Sequence, residues 1–465
     1  MNNYDIIVIG SGPGGYVAAI RAAQLKMRVA VVERAEVGGI CLNWGCIPTK
    51  ALLKSAQVYK YVQHAAEYGI NVDGSATPDF QAVVKRSRTV AETMSKGVQF
   101  LLKKNQVDVI VGSAKLLQGK QIEVSKEDGT TECYNANHII LATGARSREL
   151  PHIKQDGQYI IGYREALTLP ELPQSMVVMG SGAIGSEFAY FYASMGTKVT
   201  LVEYLPNVVP VEDEEISKQL ERSFRKVGIT VMTSASVESV EVSNGVCVVQ
   251  VKDKKEQIST INCDIVLSAV GIVPNIENIG LEENGIAVDK NKVVVDDYYR
   301  TTCEGVYAIG DIVHGPALAH VASHEALVCV EAIAGLAPHP IDYGNIPGCT
   351  YTTPEIASVG MTEKACLEQG KEILVGKFPF TASGKATASG SRDGMVKVIF
   401  DKNSGEWLGC HLIGDNVTEM ISGVVIARNK KTTGKEVIHS VHPHPTLSEA
   451  IMEAAAAAYG EVIHL

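Results

Sequence analysis

Two stretches of this chain repeat one pattern, and the repetition limits the folds open to it. In YDIIVIGSGPGGYVAAIRAAQLKMRVAVVER, which starts at Tyr4, an apolar run leads into Gly10, Gly12 and Gly15, spaced G-x-G-x-x-G. A stretch of helical spacing and a second apolar run ending at Glu33 follow. SMVVMGSGAIGSEFAYFYASMGTKVTLVEY repeats this with Gly180, Gly182, Gly185 and Glu203, and the first glycine and the acid are equally far apart in both copies (10 to 33, 180 to 203). Short unbroken apolar runs suit parallel strands buried on both faces. The glycines permit a tight turn and a close approach of backbone to a pyrophosphate. The N–H groups and dipole of the next helix attract that anion, and the acid accepts hydrogen bonds from a ribose. One G-x-G-x-x-G alone also fits a plain strand–helix turn. Strand, glycines, helix, strand and acid in order, twice, predict an α/β protein with two Rossmann-like dinucleotide-binding domains.

Two dinucleotide sites suggest an electron relay in which one cofactor stays bound and one exchanges. FAD is expected at the first, because two further fragments suit flavin contacts. IILATGARS is read as a strand ending at Thr143 and Gly144, and CEGVYAIGDIV sets Asp311 after a strand and a glycine, placed for a ribitol hydroxyl. At the second site Glu203 would repel the 2′-phosphate of NADP and bond the free ribose of NAD. Tyr204, Leu205 and Pro206 bring no arginine, so NAD is expected.

Between the two copies lies GGICLNWGCIPTK, with Cys41 and Cys46 five positions apart. In a regular helix those positions diverge by about 140°. A bridge needs Cα atoms within about 7 Å, so the segment must be distorted, and Asn43 and Gly45 tolerate distortion. Pro48 suits a first helical turn, which puts Cys46 near a helix N-terminus, where a thiolate is stabilised. A metal site would need more ligands, and no further Cys or His follows before His64. Two buried thiols are the bland alternative. A redox pair facing a flavin is the better reading.

The whole chain sets outer bounds. Its 465 residues are 46% hydrophobic and 20% charged, enough for several domains with a large core. A net charge of −10 argues against non-specific nucleic-acid binding. No apolar run approaches the roughly 20 residues of a membrane helix, and MNNYDIIVIGSG lacks a basic start, so neither membrane span nor signal peptide is expected. Ten cysteines in so long a chain make no disulfide framework and suit a reducing compartment such as the cytoplasm; a mature organelle-matrix protein is the alternative.

GGICLNWGCIPTK resembles the redox motif of the pyridine nucleotide–disulfide oxidoreductases, and the resemblance runs from Tyr4 to HPHPTLSE near the C-terminus. Within the family it is nearest to members that oxidise dihydrolipoamide carried on the lipoyl-bearing E2 or H-protein of 2-oxoacid dehydrogenase or glycine cleavage complexes. The resemblance implies an FAD domain over 1–146, an NAD domain over 147–270, a central domain over 271–342 that completes the flavin site, and an α+β dimerisation domain over 343–465. It implies a homodimer in which His444 and Glu449 act as base and orienting acid across the interface. A dithiol attacks as thiolate, so a base near neutral pKa with a carboxylate behind it fits. His442 competes for this role, and a metal cluster with His439 finds no cysteine or aspartate to support it. The resemblance also implies Lys50 beside the flavin with Glu187 as partner. Flavin contacts are expected at Gly10, Gly12, Pro13, Gly14, Gly15, Glu33, Lys50, Ala114, Thr143, Gly144, Asp311 and Ala319, and NAD contacts at Gly180, Gly182, Ala183, Ile184, Gly185, Glu203, Val237 and Gly271. No metal is expected. Three residues depart from the family pattern: Trp44, Thr49 and Ile272. Glutathione-type reductases share the architecture but prefer NADP. Mercuric and large thioredoxin reductases carry a C-terminal cysteine pair, whereas here no cysteine follows Cys410. A flavoprotein transhydrogenase or a non-catalytic flavin scaffold would not need Cys41, Cys46, His444 and Glu449.

Overall fold

A computed structural model of the chain describes residues 3–465. The chain divides into two compact units. The first comprises Met1–Ala51, Ala82–Arg148 and Ile272–Ile341, and the second Leu52–Gln81, Glu149–Gly271 and Asp342–Leu465.

The first unit is built on β1 (Asn3–Ile9), α1 (Pro13–Gln24) and β2 (Val29–Glu33). The redox motif forms α2 (Gly39–Trp44) and the start of α3 (Cys46–Gln63), and α4 (Phe80–Lys104) leads back to the sheet. The sheet continues with β3 (Asp108–Val111), β4 (Ser113–Leu117), β5 (Gln121–Ser125) and β6 (Thr131–Leu141). Its order is β3-β2-β1-β6-β5-β4, and Val306–Ala308 also pairs with β6. β1 runs parallel to β2 (Ile6 opposite Val29) and to β6 (Ile9 opposite Leu141), while β4 and β5 form an antiparallel meander. Ile6, Ile7 and Val8 have no exposed surface, as strands covered on both faces require. Ala18, Ala19 and Ala22 give α1 a small-residue face that packs against the helix Ala319–Ile333. Gly14 belongs to that contact, because a Cβ there would lie 3.3 Å from the Ala322 carbonyl oxygen.

The second unit repeats the scheme. Its parallel sheet has the order Thr230–Met232, Lys198–Val202, Ser175–Met179, Ile265–Ser268, Ile160–Ile161, and the helix Ala183–Met195 follows the strand Ser175–Met179. The same unit contains a five-stranded sheet, Gly348–Thr350, Glu355–Gly360, Trp407–Gly414, Met395–Asp401 and Ile373–Pro379, whose pairs are antiparallel. The helix Glu449–Ala458 lies so close to this sheet that a Cβ on Gly376 would sit 1.9 Å from the Ala454 carbonyl oxygen. Lys397, 1% exposed, bonds both Asp213 oxygens at 2.9 and 3.0 Å and pairs with Glu215 and Glu363 at 2.7 and 2.6 Å. This ion cluster ties the C-terminal sheet to the nucleotide-fold part of the same unit.

The sequence boundaries differ from these elements in small ways. β6 ends at Leu141, so Thr143 and Gly144 lie beyond the strand and not at its end. There the chain turns away from the sheet. Thr143 Oγ1 donates to the Asn275 carbonyl at 2.6 Å, and Asn275 N donates to the Gly144 carbonyl at 2.8 Å. TYTTPEIASVG forms two strands interrupted at Tyr351–Pro354. No helix among the described residues is long and apolar enough to cross a membrane.

Candidate active site

The redox segment is two helices meeting at a break. α2 ends at Trp44, Gly45 adopts φ −144°, ψ −112°, and α3 begins at Cys46. The break removes the divergence a continuous helix would impose and brings the two cysteine side chains into hydrogen-bonding contact. Both are thiols here, Cys41 half-buried and Cys46 exposed. The hydrogen bond with Cys46 and then burial push the Cys41 thiol upward, and the Lys50 charge opposes this. Two thiols this close lose their protons in two steps that belong to the pair and not to either sulfur alone. Asn43, expected to tolerate distortion, takes no part in the break. It is helical and buried, and its amide donates to the Val37 and Gly39 carbonyls at 3.1 and 3.0 Å. Gly45 alone makes the break, and Thr49 secures it by donating to the Gly45 carbonyl at 2.7 Å.

The two glycine turns match in detail. Gly10 has φ +101° and Gly180 φ +91°, and a Cβ would lie 2.2 Å from the Ala142 carbonyl oxygen in one and 2.5 Å from that of Ala269 in the other. Gly15 and Gly185 each approach within 1.9 Å of a carbonyl oxygen by the same measure. At Gly12 and Gly182 that space is open, and no side chain caps either helix. Pro13 opens α1, and Ala183 and Ile184 open its counterpart. Each acid is fixed by a serine inside the glycine turn. Glu33 Oε2 accepts from Ser11 N and Oγ at 2.9 and 2.6 Å, and Glu33 Oε1 accepts from Ala35 N at 2.9 Å. Glu203 Oε2 accepts from Ser181 N and Oγ at 2.8 and 2.7 Å, and Oε1 from Leu205 N at 2.8 Å. A carboxylate has about four acceptor sites, so each keeps one for a ribose hydroxyl.

Other expected residues fall at element ends. Asp311 lies in a short 3-10 turn after Val306–Ala308; burial raises its carboxyl, and the nearby Lys292 charge opposes this. Ala319 is the first residue of its helix, Ala114 lies on β4, Val237 on Ser236–Ser243, and Gly271, at φ +110°, precedes Ile272–Pro274. Glu187 is 4% exposed and accepts from Tyr351 N at 3.0 Å. Lys50 belongs to the first unit and Glu187 to the second.

At the C-terminal end of the second unit, His444 Nδ1 meets Glu449 Oε1 at 2.9 Å, and Thr446 N donates to Glu449 Oε2 at 2.8 Å. Burial raises the Glu449 carboxyl, but the Thr446 amide and His444 outweigh it and leave it below its ordinary value. The His444 side chain is 78% exposed. His442 and His439 turn their Nδ1 atoms to the backbone carbonyls of Ser440 and Lys435 instead. Of these three, His444 is the histidine with a carboxylate behind it.

Residues 4–326 match the family model described as pyridine nucleotide-disulphide oxidoreductase, and residues 346–455 match the dimerisation domain of the same family. The chain belongs to the pyridine nucleotide-disulphide oxidoreductase family. Curated relatives include the dihydrolipoyl dehydrogenases of Rhizobium etli, 51% identical over 99% of both chains, and of Zymomonas mobilis, 46% identical over 100% of this chain and 99% of the relative. Among solved structures, LpdA from Mycobacterium tuberculosis superposes with a TM-score of 0.90 at 28% identity, covering 98% of this chain and 99% of that one. As a member of this oxidoreductase family the chain uses FAD and a nicotinamide nucleotide. The open, uncapped turns at Gly12 and Gly182 fit two pyrophosphates. Sequence reasoning missed Ser11 and Ser181, although GSG stands in both copies. It also missed Arg86, Ser87 and Arg88 on α4, which bond the carbonyls of Ala51, Pro48 and Asn43 at 2.7, 2.9 and 2.5 Å. Nothing in KRSRTV marks that role.

Proposed function

We propose that this protein oxidises the dihydrolipoyl group of a partner protein and reduces NAD⁺ to NADH, acting as a dihydrolipoyl dehydrogenase. The end-to-end likeness to curated proteins of that activity carries the reading, and the pairing of Cys41 with Cys46 supports it. Gly10, Gly12, Pro13, Gly14, Gly15, Glu33, Thr143, Gly144, Asp311, Ala319, Ala114 and Lys50 hold FAD, and Gly180, Gly182, Ala183, Ile184, Gly185, Glu203, Val237 and Gly271 hold NAD. Bound FAD supplies two-electron chemistry between the cysteine pair and the nucleotide.

The chain's own residues supply the thiol chemistry. His444 Nε2 takes the proton of the substrate thiol while Glu449 holds the ring through Nδ1. The substrate thiolate attacks Cys41 Sγ, the Cys41–Cys46 bond breaks, and Cys46 leaves as a thiolate at the N-terminus of α3, where the helix dipole favours it. The second substrate sulfur then attacks the mixed disulfide and expels Cys41. The dithiol is left on the enzyme and lipoamide departs oxidised. Glu203 selects NAD. The active form is a homodimer in which His444 and Glu449 serve the partner's cysteines, and the lipoyl group arrives on the E2 or H-protein of a 2-oxoacid dehydrogenase or glycine cleavage complex. FAD-loaded protein given dihydrolipoamide and NAD⁺ is expected to produce NADH, followed at 340 nm. No NADH from dihydrolipoamide, or turnover only with glutathione and NADP, would sink the assignment.

A further inference from the structure

Trp44, one of the residues by which this chain departs from the family's pattern, makes contacts of its own. The Arg88 guanidinium lies over its ring, 4.1 Å from the centroid, and the same guanidinium donates through Nη1 to the Asn43 carbonyl at 2.5 Å. Asn43 and Trp44 are the last two residues of α2 before the break at Gly45. A helix end leaves its last carbonyls without intrahelical donors, and one of them is filled here by a cation from α4. The neighbours of Arg88 grip the far side of the break. Ser87 Oγ donates to the Pro48 carbonyl at 2.9 Å and Arg86 Nη1 to the Ala51 carbonyl at 2.7 Å, both on α3. Further along α4, Ser95 donates to the Val37 carbonyl at 2.7 Å, ahead of α2. Four residues of one helix thus hold the backbone before, at and after the cysteine pair.

We infer that α4 is a clamp on the redox loop and that Arg88 and Trp44 are positioning residues that set the dithiol–disulfide equilibrium of Cys41 and Cys46. The inference rests on the reading that these two cysteines are the redox pair. The four bonds from α4 all end on backbone carbonyls, so none of them depends on the cysteine sulfurs being joined. A dithiol whose sulfurs are already side by side loses little freedom on bonding, so the disulfide is favoured in the way a high effective concentration favours any ring closure. Arg88 grips the loop through the Asn43 carbonyl and the Trp44 ring, and the effect inferred for it is mechanical. Releasing the clamp gives freedom back to the dithiol alone and makes the disulfide easier to reduce.

The test equilibrates FAD-loaded protein with lipoamide and dihydrolipoamide in varied ratio, without NAD, and counts free thiols by alkylation and mass spectrometry. Two electrons and two protons move from dihydrolipoamide to the enzyme; its S–S bond breaks as that of lipoamide forms. Arg88→Met is expected to reach half reduction at a dihydrolipoamide-to-lipoamide ratio about tenfold lower, about 30 mV less negative. Arg88→Lys keeps a cation and a donor and is expected within about threefold of the native protein. Trp44→Val is expected to shift about threefold in the same direction and to add nothing in an Arg88→Met background, since the ring acts through Arg88. If Arg88→Met does not fold, Trp44→Val carries the test. An unchanged midpoint in a variant that retains FAD, even with a lowered Tm, overturns the clamp, as does a shift toward the disulfide. If the native protein forms no Cys41–Cys46 disulfide in lipoamide, the redox-pair reading falls first and the clamp with it.

Discussion

His444 shows how far single residues carry the function. Its Nδ1 is occupied by Glu449, which leaves Nε2 open for the proposed role of base. A general base contributes roughly 10²–10⁴ in rate, so His444→Gln is expected to cut dihydrolipoamide-linked kcat by that factor. Oxidation of NADH by a quinone needs no proton from a dithiol and should largely survive. His442→Gln, which loses only a bond to the Ser440 carbonyl, should be mild; if it proves the more damaging, the base has been assigned to the wrong histidine. The cysteine pair stands out in the sequence by its spacing, whereas His444 and Glu449 are singled out by the family resemblance and lie in contact with each other. Ser11, Ser181 and Arg88 were not legible, because each acts on a group distant in sequence and small polar or basic residues occur everywhere for other reasons.

At the scale of elements, the strand–turn–helix–strand repeat was readable almost to the residue, since unbroken apolar runs and glycine spacing are local signals. Boundaries set by tertiary contacts were not. β6 stops before Thr143 because Asn275, more than a hundred residues away, takes over its hydrogen bonds. Within the second repeat, Glu203 is a preset acceptor, three of its four sites filled by Ser181 and Leu205. If Glu203 binds the ribose as proposed, Glu203→Ala removes both that bond and the repulsion toward a 2′-phosphate. A hydrogen bond to a charged group contributes about 1.5–3 kcal/mol, so the ratio of kcat/KM for NAD over NADP should fall on the order of tenfold to a hundredfold. Steady-state kinetics with both nucleotides measure it, and an unchanged ratio would remove Glu203 from the selection of nucleotide.

At the scale of the molecule, the family resemblance implies four consecutive segments, and contacts within the chain gather it into two compact units, each made of separate stretches. Within the second unit the buried Lys397 cluster with Asp213, Glu215 and Glu363 joins sequence-distant residues in an ion network that no local pattern reveals. The proposed homodimer makes a prediction of its own at this scale. If each site takes its cysteines from one subunit and its base from the other, Cys41→Ser and His444→Gln homodimers are each inactive, and subunit exchange between them should restore turnover at one site in two. Heterodimers isolated with two different affinity tags and still inactive would place both groups on the same subunit.

The interleaving also has a consequence in time. The alanine face of α1 is covered by the helix Ala319–Ile333, and the strand Val306–Ala308 lies beside β6. A ribosome adding about 5–20 residues per second makes these partners roughly 15–60 s after α1 itself. Throughout that interval the nascent chain carries a bare small-residue face, joined once β6 is made by an unfilled sheet edge, the kind of surface that chaperones bind and that mispairs between neighbouring chains. Synthesis of this protein is therefore most exposed to aggregation before its last third is made, at a stage when the redox cysteines have long since emerged.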